Sequence, residues 1–252
     1  MQPTSSFLNT AIHNLTMDET VQVVEQAIEQ RRQIHHVAVN AGKIVKMQGD
    51  AELRESVNNS DIINADGQAV IWASKFLNQP LKERVAGIDL MENLVRLAHQ
   101  KQYRIFLFGA KEEVVSKVAE RYKHEYGADI IAGYRNGYFK KEDEPGIAKE
   151  IADSGAHILF VAITSPIKEN FLYQNRKALA SVNLIMGVGG SFDVVAGVTR
   201  RAPLWMQKAG LEWFYRFLQE PRRMWKRYLV GNTKFIWLVL KEKFRSKGAK
   251  KN

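Results

Sequence analysis

From Thr16 onward apolar residues recur at helical spacing, Val21, Val24, Ala27 and Ile28 falling on one side with charged and amide residues between them. The four residues that open this run, Thr16-Met17-Asp18-Glu19, form a capping-box pattern in which Glu19 can bond back to the helix start. The spacing predicts a helix of about four turns. Ile34 to Val39 then reads as an extended run ending at Asn40-Ala41-Gly42, with a second helical stretch continuing through Leu53. Asp61 to Asn64 reads as a short strand that closes on Ala65-Asp66-Gly67, ahead of a helical run from Val70 to Leu77.

This order of strand, polar loop and helix repeats along the chain. Tyr103 to Phe108 is a predicted strand ending at Gly109, and Glu112 to Tyr126 is a predicted amphipathic helix. Asp129 to Ala132 is a further strand, followed by a loop around Gly133. His157 to Ile163 and Val182 to Met186 complete the set, with a helical stretch from Glu169 to Leu179 between them. Alternating β and α elements predict an α/β fold, a mainly parallel sheet flanked by helices with a Rossmann-like core, in which ligands bind beyond the carboxyl ends of the strands.

After Pro203 the pattern becomes near-continuous helix, interrupted at Glu220-Pro221. A boundary is therefore set near residue 200, with an α/β core over 1–200 and a helical appendage over 201–252 whose basic end, Lys247 to Lys251, is expected to be disordered. The apolar run Phe235 to Leu240 is far shorter than the roughly 20 residues of a membrane-spanning helix.

Charge sharpens this division. Of the net charge of +10, the stretch from Arg200 to Asn252 holds +12, with 15 Lys and Arg against 3 Glu, so the first 199 residues balance at −2. Trp205, Trp213, Trp225 and Trp237, four of the five tryptophans, share that stretch. A cationic, aromatic segment suits an anionic membrane surface. Nucleic acid is the rival partner, but Trp213, Phe214, Phe217, Met224 and Trp225 sit among apolar residues of amphipathic helices rather than along a basic groove, which favours the membrane and no nucleic acid. The absence of cysteine excludes disulfides and thiolate catalysis. Met1 to Phe7 lacks a basic region leading into an apolar one, so a cytoplasmic location is expected.

Four strand-end loops could carry chemistry: Asn40-Ala41-Gly42, Asp66-Gly67, Phe108-Gly109-Ala110 and Gly187-Val188-Gly189-Gly190-Ser191. The last resembles a phosphate-cradling loop, since glycines let backbone N–H groups approach an anion; a tight strand-to-helix turn would look the same. Asp193 behind it could bond a ribose hydroxyl or only face the helix start. Asp66 is placed to project into a cleft as a general base, or to make an Asx-turn or cap. Arg84 could grip a carboxylate or phosphate with its planar fork, or lie on a loop surface. The six histidines lack the i, i+4 spacing of a helical zinc site and no Asp-x-Asp occurs, so metal-independent chemistry without a cofactor is expected. The His35-His36 pair should put one ring inward and one outward along a strand. Gly-x-Ser-x-Gly is absent, as is Gly-x-Gly-x-x-Gly after the first strand, which weakens hydrolase and oxidoreductase readings.

Asn40-Ala41, Asn64-Ala65-Asp66-Gly67, Arg84-Val85-Ala86-Gly87, Phe108-Gly109, Gly137-Tyr138-Phe139, Gly187 to Asp193, Ala196-Gly197, Arg201-Ala202-Pro203 and Gly210-Leu211-Glu212-Trp213 follow one another in this order. With Arg216, Pro221-Arg222-Arg223 and Arg227-Tyr228-Leu229, they resemble the WecG/TagA/CpsF glycosyltransferase family from about residue 10 to residue 230. The resemblance implies an inverting, metal-independent transferase acting on undecaprenyl-diphosphate-linked sugars at the cytoplasmic membrane face, peripheral to it, with a UDP-sugar donor. It implies Asp66 as general base and Arg84 at the sugar or diphosphate. Gly187, Gly189, Gly190 and Asp193 would face the nucleotide, with Asn40, Gly109, Tyr138 and Lys168 among the substrate-binding residues. Arg201, Arg216, Arg222, Arg223 and Arg227 would meet the lipid diphosphate or membrane, and a homo-oligomer is a further implication. Two positions depart from the family pattern. Ala38 stands where many members have Thr, and Thr164-Ser165-Pro166-Ile167-Lys168-Glu169 replaces Gly-x-Pro-Lys-Gln-Glu, so that Lys168 puts a cation where an amide is usual. An N-acetylmannosamine donor is therefore not assumed, and a hexose or an acidic sugar stays open.

Overall fold

The computed structural model describes residues 4–225 and 229–248. An antiparallel hairpin comes first, β1 (Thr4–Phe7) and β2 (Thr10–His13). It is followed by α1 (Met17–Glu29), β3 (Ile34–Val39), α2 (Ala41–Gly49), α3 (Ala51–Asn58), β4 (Ile62–Ala65), α4 (Gln68–Phe76) and α5 (Gly87–Lys101). Then come β5 (Ile105–Gly109), α6 (Glu112–Tyr126), β6 (Ile131–Arg135), α7 (Glu144–Asp153), β7 (Ile158–Ala162), α8 (Ile167–Gln174), β8 (Leu184–Gly187) and α9 (Ser191–Val195). The basic stretch contributes α10 (Leu204–Lys208), α11 (Glu212–Gln219), α12 (Pro221–Trp225) and α13 (Gly231–Gly248). Of the basic end, Lys247 thus lies in helical backbone, and residues 249–252 fall outside the described residues.

Six strands form one sheet in the order β4-β3-β8-β7-β5-β6, and every neighbouring pair is parallel, which is the α/β architecture the sequence predicts. Successive side chains along a strand point to opposite faces. Ile62, Ile105, Ile158 and Leu184 therefore pack under α1, α5, α6 and α9, while their neighbours Ile63, Phe106, Leu159 and Ile185 pack under α2, α3, α4, α7 and α8. Burying each such side chain stabilises the fold by roughly 1.5–3 kcal/mol. With both faces covered, His35 and His36 are both buried although they point opposite ways, so the outward ring also meets helix rather than water.

The local differences from the sequence reading have physical causes. The Thr16 capping box forms, with Thr16 Oγ1 accepting the Glu19 N–H at 3.2 Å and Glu19 Oε2 accepting the Thr16 N–H at 2.8 Å. Asn40 to Asn58 is two helices rather than one stretch, because Asp50 ends α2 and caps α3, accepting the Leu53 N–H at 3.0 Å. Gly133 lies inside β6 and not in a loop; a Cβ there would come within 2.6 Å of the Phe106 ring.

The late helices are tied to the core. Phe235 and Val239 of α13 are buried in the same cluster as Ile44 and Met47 of α2. Lys243 Nζ lies over the Phe76 ring and donates to the Phe76 carbonyl. Among the described residues no helix is long and apolar enough to cross a membrane.

Candidate active site

The helices after β3 and the helix after β8 pack on opposite faces of the sheet, although β3 and β8 are neighbours. Such a switch point opens a crevice beyond the strand ends. Asn40 follows β3, Asp66 follows β4, and Gly187 ends β8, so three of the sequence-predicted residues line one edge.

Asp66 is held through both its backbone and its side chain. Its backbone N–H donates to Val39 O at 2.8 Å, and the Val85 N–H donates to Ala65 O at 2.9 Å, laying the Val85-Ala86-Gly87 segment beside β4. Asp66 Oδ1 accepts the Gly87 N–H at 3.1 Å, at the start of the 15-residue helix α5, whose N-cap residue Ala86 offers no side-chain acceptor. Burial raises the Asp66 pKa more than anything else does; the Gly87 N–H and Arg84 work against it, Glu212 adds to it and Arg216 opposes it. The result is a carboxyl above its ordinary range. Gly67 approaches Asn40 closely, a Cβ there lying 3.2 Å from Asn40 Cβ, so the two strand-end loops touch. Asn40 itself caps α2, Oδ1 accepting the Lys43 N–H at 3.0 Å.

A second group adjoins the first through Lys43. Its Nζ donates to Ala38 O at 2.7 Å and lies 2.7 Å from Glu169 Oε1, which is also 2.8 Å from Lys168 Nζ. Glu169 is 2 % exposed. Burial would raise its pKa, but the charges of Lys43 and Lys168 beside it outweigh that and hold it far below the ordinary carboxylate range. The Lys168 stem packs across Gly187, where a Cβ would meet it at 2.9 Å. Lys168, the departure from the family pattern, is thus built into the floor beside the glycine loop, and Lys43 and Glu169 are functional candidates that sequence reasoning did not single out.

The third group comes from the basic stretch. Arg201 grips Asp89 of α5 with both terminal nitrogens, at 2.5 and 2.7 Å. Glu212, in the first turn of α11, accepts from Arg84 Nη1 at 3.3 Å and lies 3.7 Å from Arg201 Nε and 3.9 Å from Arg216 Nη2. Gly210, with φ of +73°, seats the α10–α11 link on Gln68, two residues beyond Asp66; a Cβ there would fall 2.6 Å from Gln68 Cγ. The start of α11 therefore forms a wall of the Asp66 site.

The residues 5–249 match the Glycosyl transferase WecG/TagA/CpsF family. The chain belongs to that family of glycosyltransferases. The N-acetylglucosaminyldiphosphoundecaprenol N-acetyl-β-D-mannosaminyltransferase of Bacillus subtilis (strain 168) is 39% identical to it over 198 residues, covering 79% of this chain and 75% of that protein. The protein of the same description from Bacillus spizizenii (strain ATCC 23059 / NRRL B-14472 / W23) is 38% identical over 185 residues, covering 73% and 70%.

The other residues that the family pattern singles out lie elsewhere on this edge or on the surface. Gly109 ends β5, four strands from Asp66, roughly 19 Å away at normal strand spacing. Its φ of +128° and the 2.5 Å approach a Cβ would make to Ala162 O account for the glycine by packing. Tyr138 lies beside that strand end and is 71% exposed. Gly189 and Gly190 lead into α9, and the carbonyl of Asp193 accepts the N–H groups of Val198 and Thr199. Arg222 is exposed on α12; the Arg223 side chain and the whole of Arg227 lie outside the described residues. Among the described residues no group of three or more His, Asp or Glu is placed to hold a metal ion.

Proposed function

We propose that this glycosyltransferase moves one sugar from a UDP-sugar to a saccharide linked to undecaprenyl diphosphate, with inversion and without a metal. The observation that carries the reading is the half-buried Asp66 carboxyl, raised in pKa, fixed at the head of α5 and flanked by Arg84 and α11. A general base must stand at the reacting hydroxyl and hold its proton only when asked. In this reading the acceptor hydroxyl gives its proton to Asp66 as its oxygen bonds to the anomeric carbon, and the bond from that carbon to the UDP oxygen breaks on the opposite side. The charge gained by UDP is met by Arg84, Lys168, the N–H groups of the Gly187–Gly190 loop and the arginines of the basic stretch. The lipid acceptor is supported by the names of the relatives, both of which act on N-acetylglucosaminyldiphosphoundecaprenol. Peripheral attachment to the inner face of the plasma membrane is supported by exposed Trp205, Trp213, Trp225 and Trp237 on cationic helices.

The donor is hexosyl or N-acetylhexosaminyl, and Lys168 is the reason an acidic sugar belongs in the test. A panel of UDP-sugars incubated with a short-chain lipid-diphosphate acceptor, with and without EDTA, checks the reading. Transfer from one UDP-sugar that survives chelation supports it. Transfer abolished by EDTA and restored by magnesium or manganese contradicts the metal-free mechanism, and no transfer from any UDP-sugar contradicts the donor class.

A further inference from the structure

Glu212 is a single carboxylate, 16% exposed, facing three guanidinium groups from three segments of the chain. Arg84 precedes α5, Arg201 precedes α10, and Arg216 lies one turn along α11. A well-formed guanidinium–carboxylate pair has nitrogen and oxygen about 2.7–2.9 Å apart. Here the three separations are 3.3, 3.7 and 3.9 Å, and only the first is a hydrogen bond. Arg201 Nε is buried and has no hydrogen-bond acceptor. The Arg201–Asp89 fork, at 2.5 and 2.7 Å, shows that these side chains can pair tightly when a carboxylate fits them. Glu212 has two oxygens to share between Arg84, Arg216 and the Nε edge of Arg201, whose outer edge Asp89 already holds, and it pairs tightly with none of them.

Convergent guanidinium groups with one loosely shared carboxylate describe an anion site holding a substitute for its ligand. A diphosphate carries more charge and more acceptor oxygens than a carboxylate, and planar guanidinium forks bind phosphate oxygens in pairs. Gly210 fixes the link just ahead of Glu212 onto Gln68, so the carboxylate cannot leave without disturbing the first turn of α11.

We propose that Glu212 is an internal counter-anion: its carboxylate occupies the Arg84–Arg201–Arg216 site, an incoming diphosphate displaces it, and α11 is loosened from the core by that exchange. The proposal rests on reading the Asp66 edge as the place where a diphosphate group binds. It makes Glu212 a residue that couples diphosphate binding to the position of the helix walling Asp66.

The test uses the full chain and inorganic pyrophosphate. Wild type and Glu212→Gln are titrated by calorimetry, and amide hydrogen exchange is followed across residues 212–219 with and without pyrophosphate. Removing the competing anion should tighten pyrophosphate binding at least fivefold, whereas Glu220→Gln, which removes a charge just past the far end of the same helix, should change it less than twofold. In wild type, pyrophosphate should speed exchange of the α11 amides. In Glu212→Gln these amides should exchange fast from the outset and respond little. Pyrophosphate affinity unchanged or weakened in Glu212→Gln, an equal gain in Glu220→Gln, or α11 amides slowed or unaffected by pyrophosphate in wild type would each overturn the proposal. So would wild type that binds no pyrophosphate at millimolar concentration. Circular dichroism verifies that each variant is folded, and the wild-type exchange experiment stands without any variant. Because both readouts need no sugar transfer, a failed transferase assay and a failed counter-anion test remain distinct results.

Discussion

The Asp66 carboxylate accepts the backbone N–H of Gly87 at 3.1 Å, so the residue at the end of one strand supplies the acceptor that the next long helix lacks at its own start. The cap and the candidate base are the same side chain. A helix N-terminus favours the ionised carboxylate, yet burial is the larger influence and raises the pKa. A raised carboxyl pKa means that stability is lost as pH climbs from the unfolded to the folded value. The same shift moves the acid limb of the kcat/KM profile above the ordinary Asp value of 3.8. A pH–rate profile of the wild-type enzyme checks this, and a limb at or below the ordinary value would contradict the assignment.

Glu169 is stabilising because Lys43 and Lys168 hold it ionised in the interior. Its depressed pKa gives stability that is complete above the ordinary carboxylate value of 4.5 and lost as pH falls toward the folded value. Removing the anion takes the buried counter-charge from Lys43 and Lys168, and breaking a buried pair in this way costs about 3 kcal/mol. Urea denaturation at pH 7 should find Glu169→Gln destabilised by that order, and Lys168→Met, which leaves the Lys43–Glu169 pair intact, destabilised less.

His35 and His36 should set the acid limit of the fold. Burial is the main cause that lowers them, to about 3 and about 4 from the ordinary 6.5, while the unfolded chain protonates near 6.5. Stability is therefore full above 6.5 and falls as pH drops below it, each ring contributing up to about 1.4 kcal/mol per pH unit down to its folded value. Thermal melts between pH 7 and pH 4.5 should show the midpoint dropping steadily, and His36→Gln should flatten that slope.

Gly210→Ala should injure activity more than stability. The added methyl meets Gln68 at 2.6 Å and the backbone sits at φ +73°, so the start of α11 must shift, at a cost of about 1–2 kcal/mol. The displaced element walls the Asp66 site, whereas the sheet and its two covered faces are untouched. A several-fold loss of kcat/KM with a melting midpoint within a few degrees of wild type is expected.

The parallel core was legible because strands buried on both faces and helices with one apolar stripe write their periods plainly. Ile34–Val39 and Glu112–Tyr126 were both readable to the residue. The hairpin Thr4–His13 was not, since its strands have four residues each and its turn uses Leu8 and Asn9 at positive φ without a glycine. Helix α5 gave no start signal because its acceptor, Asp66, lies 21 residues upstream. Asp66, Arg84 and Lys168 could be named from loop position and motif. Glu212 stood only as part of a motif, and Lys43, which meets Glu169, and Asp89, which meets Arg201, could not be named, because pairs such as Arg201–Asp89 span 112 residues and leave no local pattern.

The central claim, that Asp66 takes the acceptor proton, is tested most directly by comparing turnover and UDP binding in wild type and Asp66→Asn. The amide keeps an oxygen for the Gly87 N–H and removes an ionisable group whose charge the fold disfavours, so the variant should fold and be at least as stable as wild type at pH 7. It cannot accept a proton at the acceptor hydroxyl, and turnover should drop roughly 10²–10⁴-fold with UDP affinity within about twofold of wild type. Turnover within a few-fold of wild type in a folded Asp66→Asn protein would contradict the account and leave Asp66 as the cap of α5 alone.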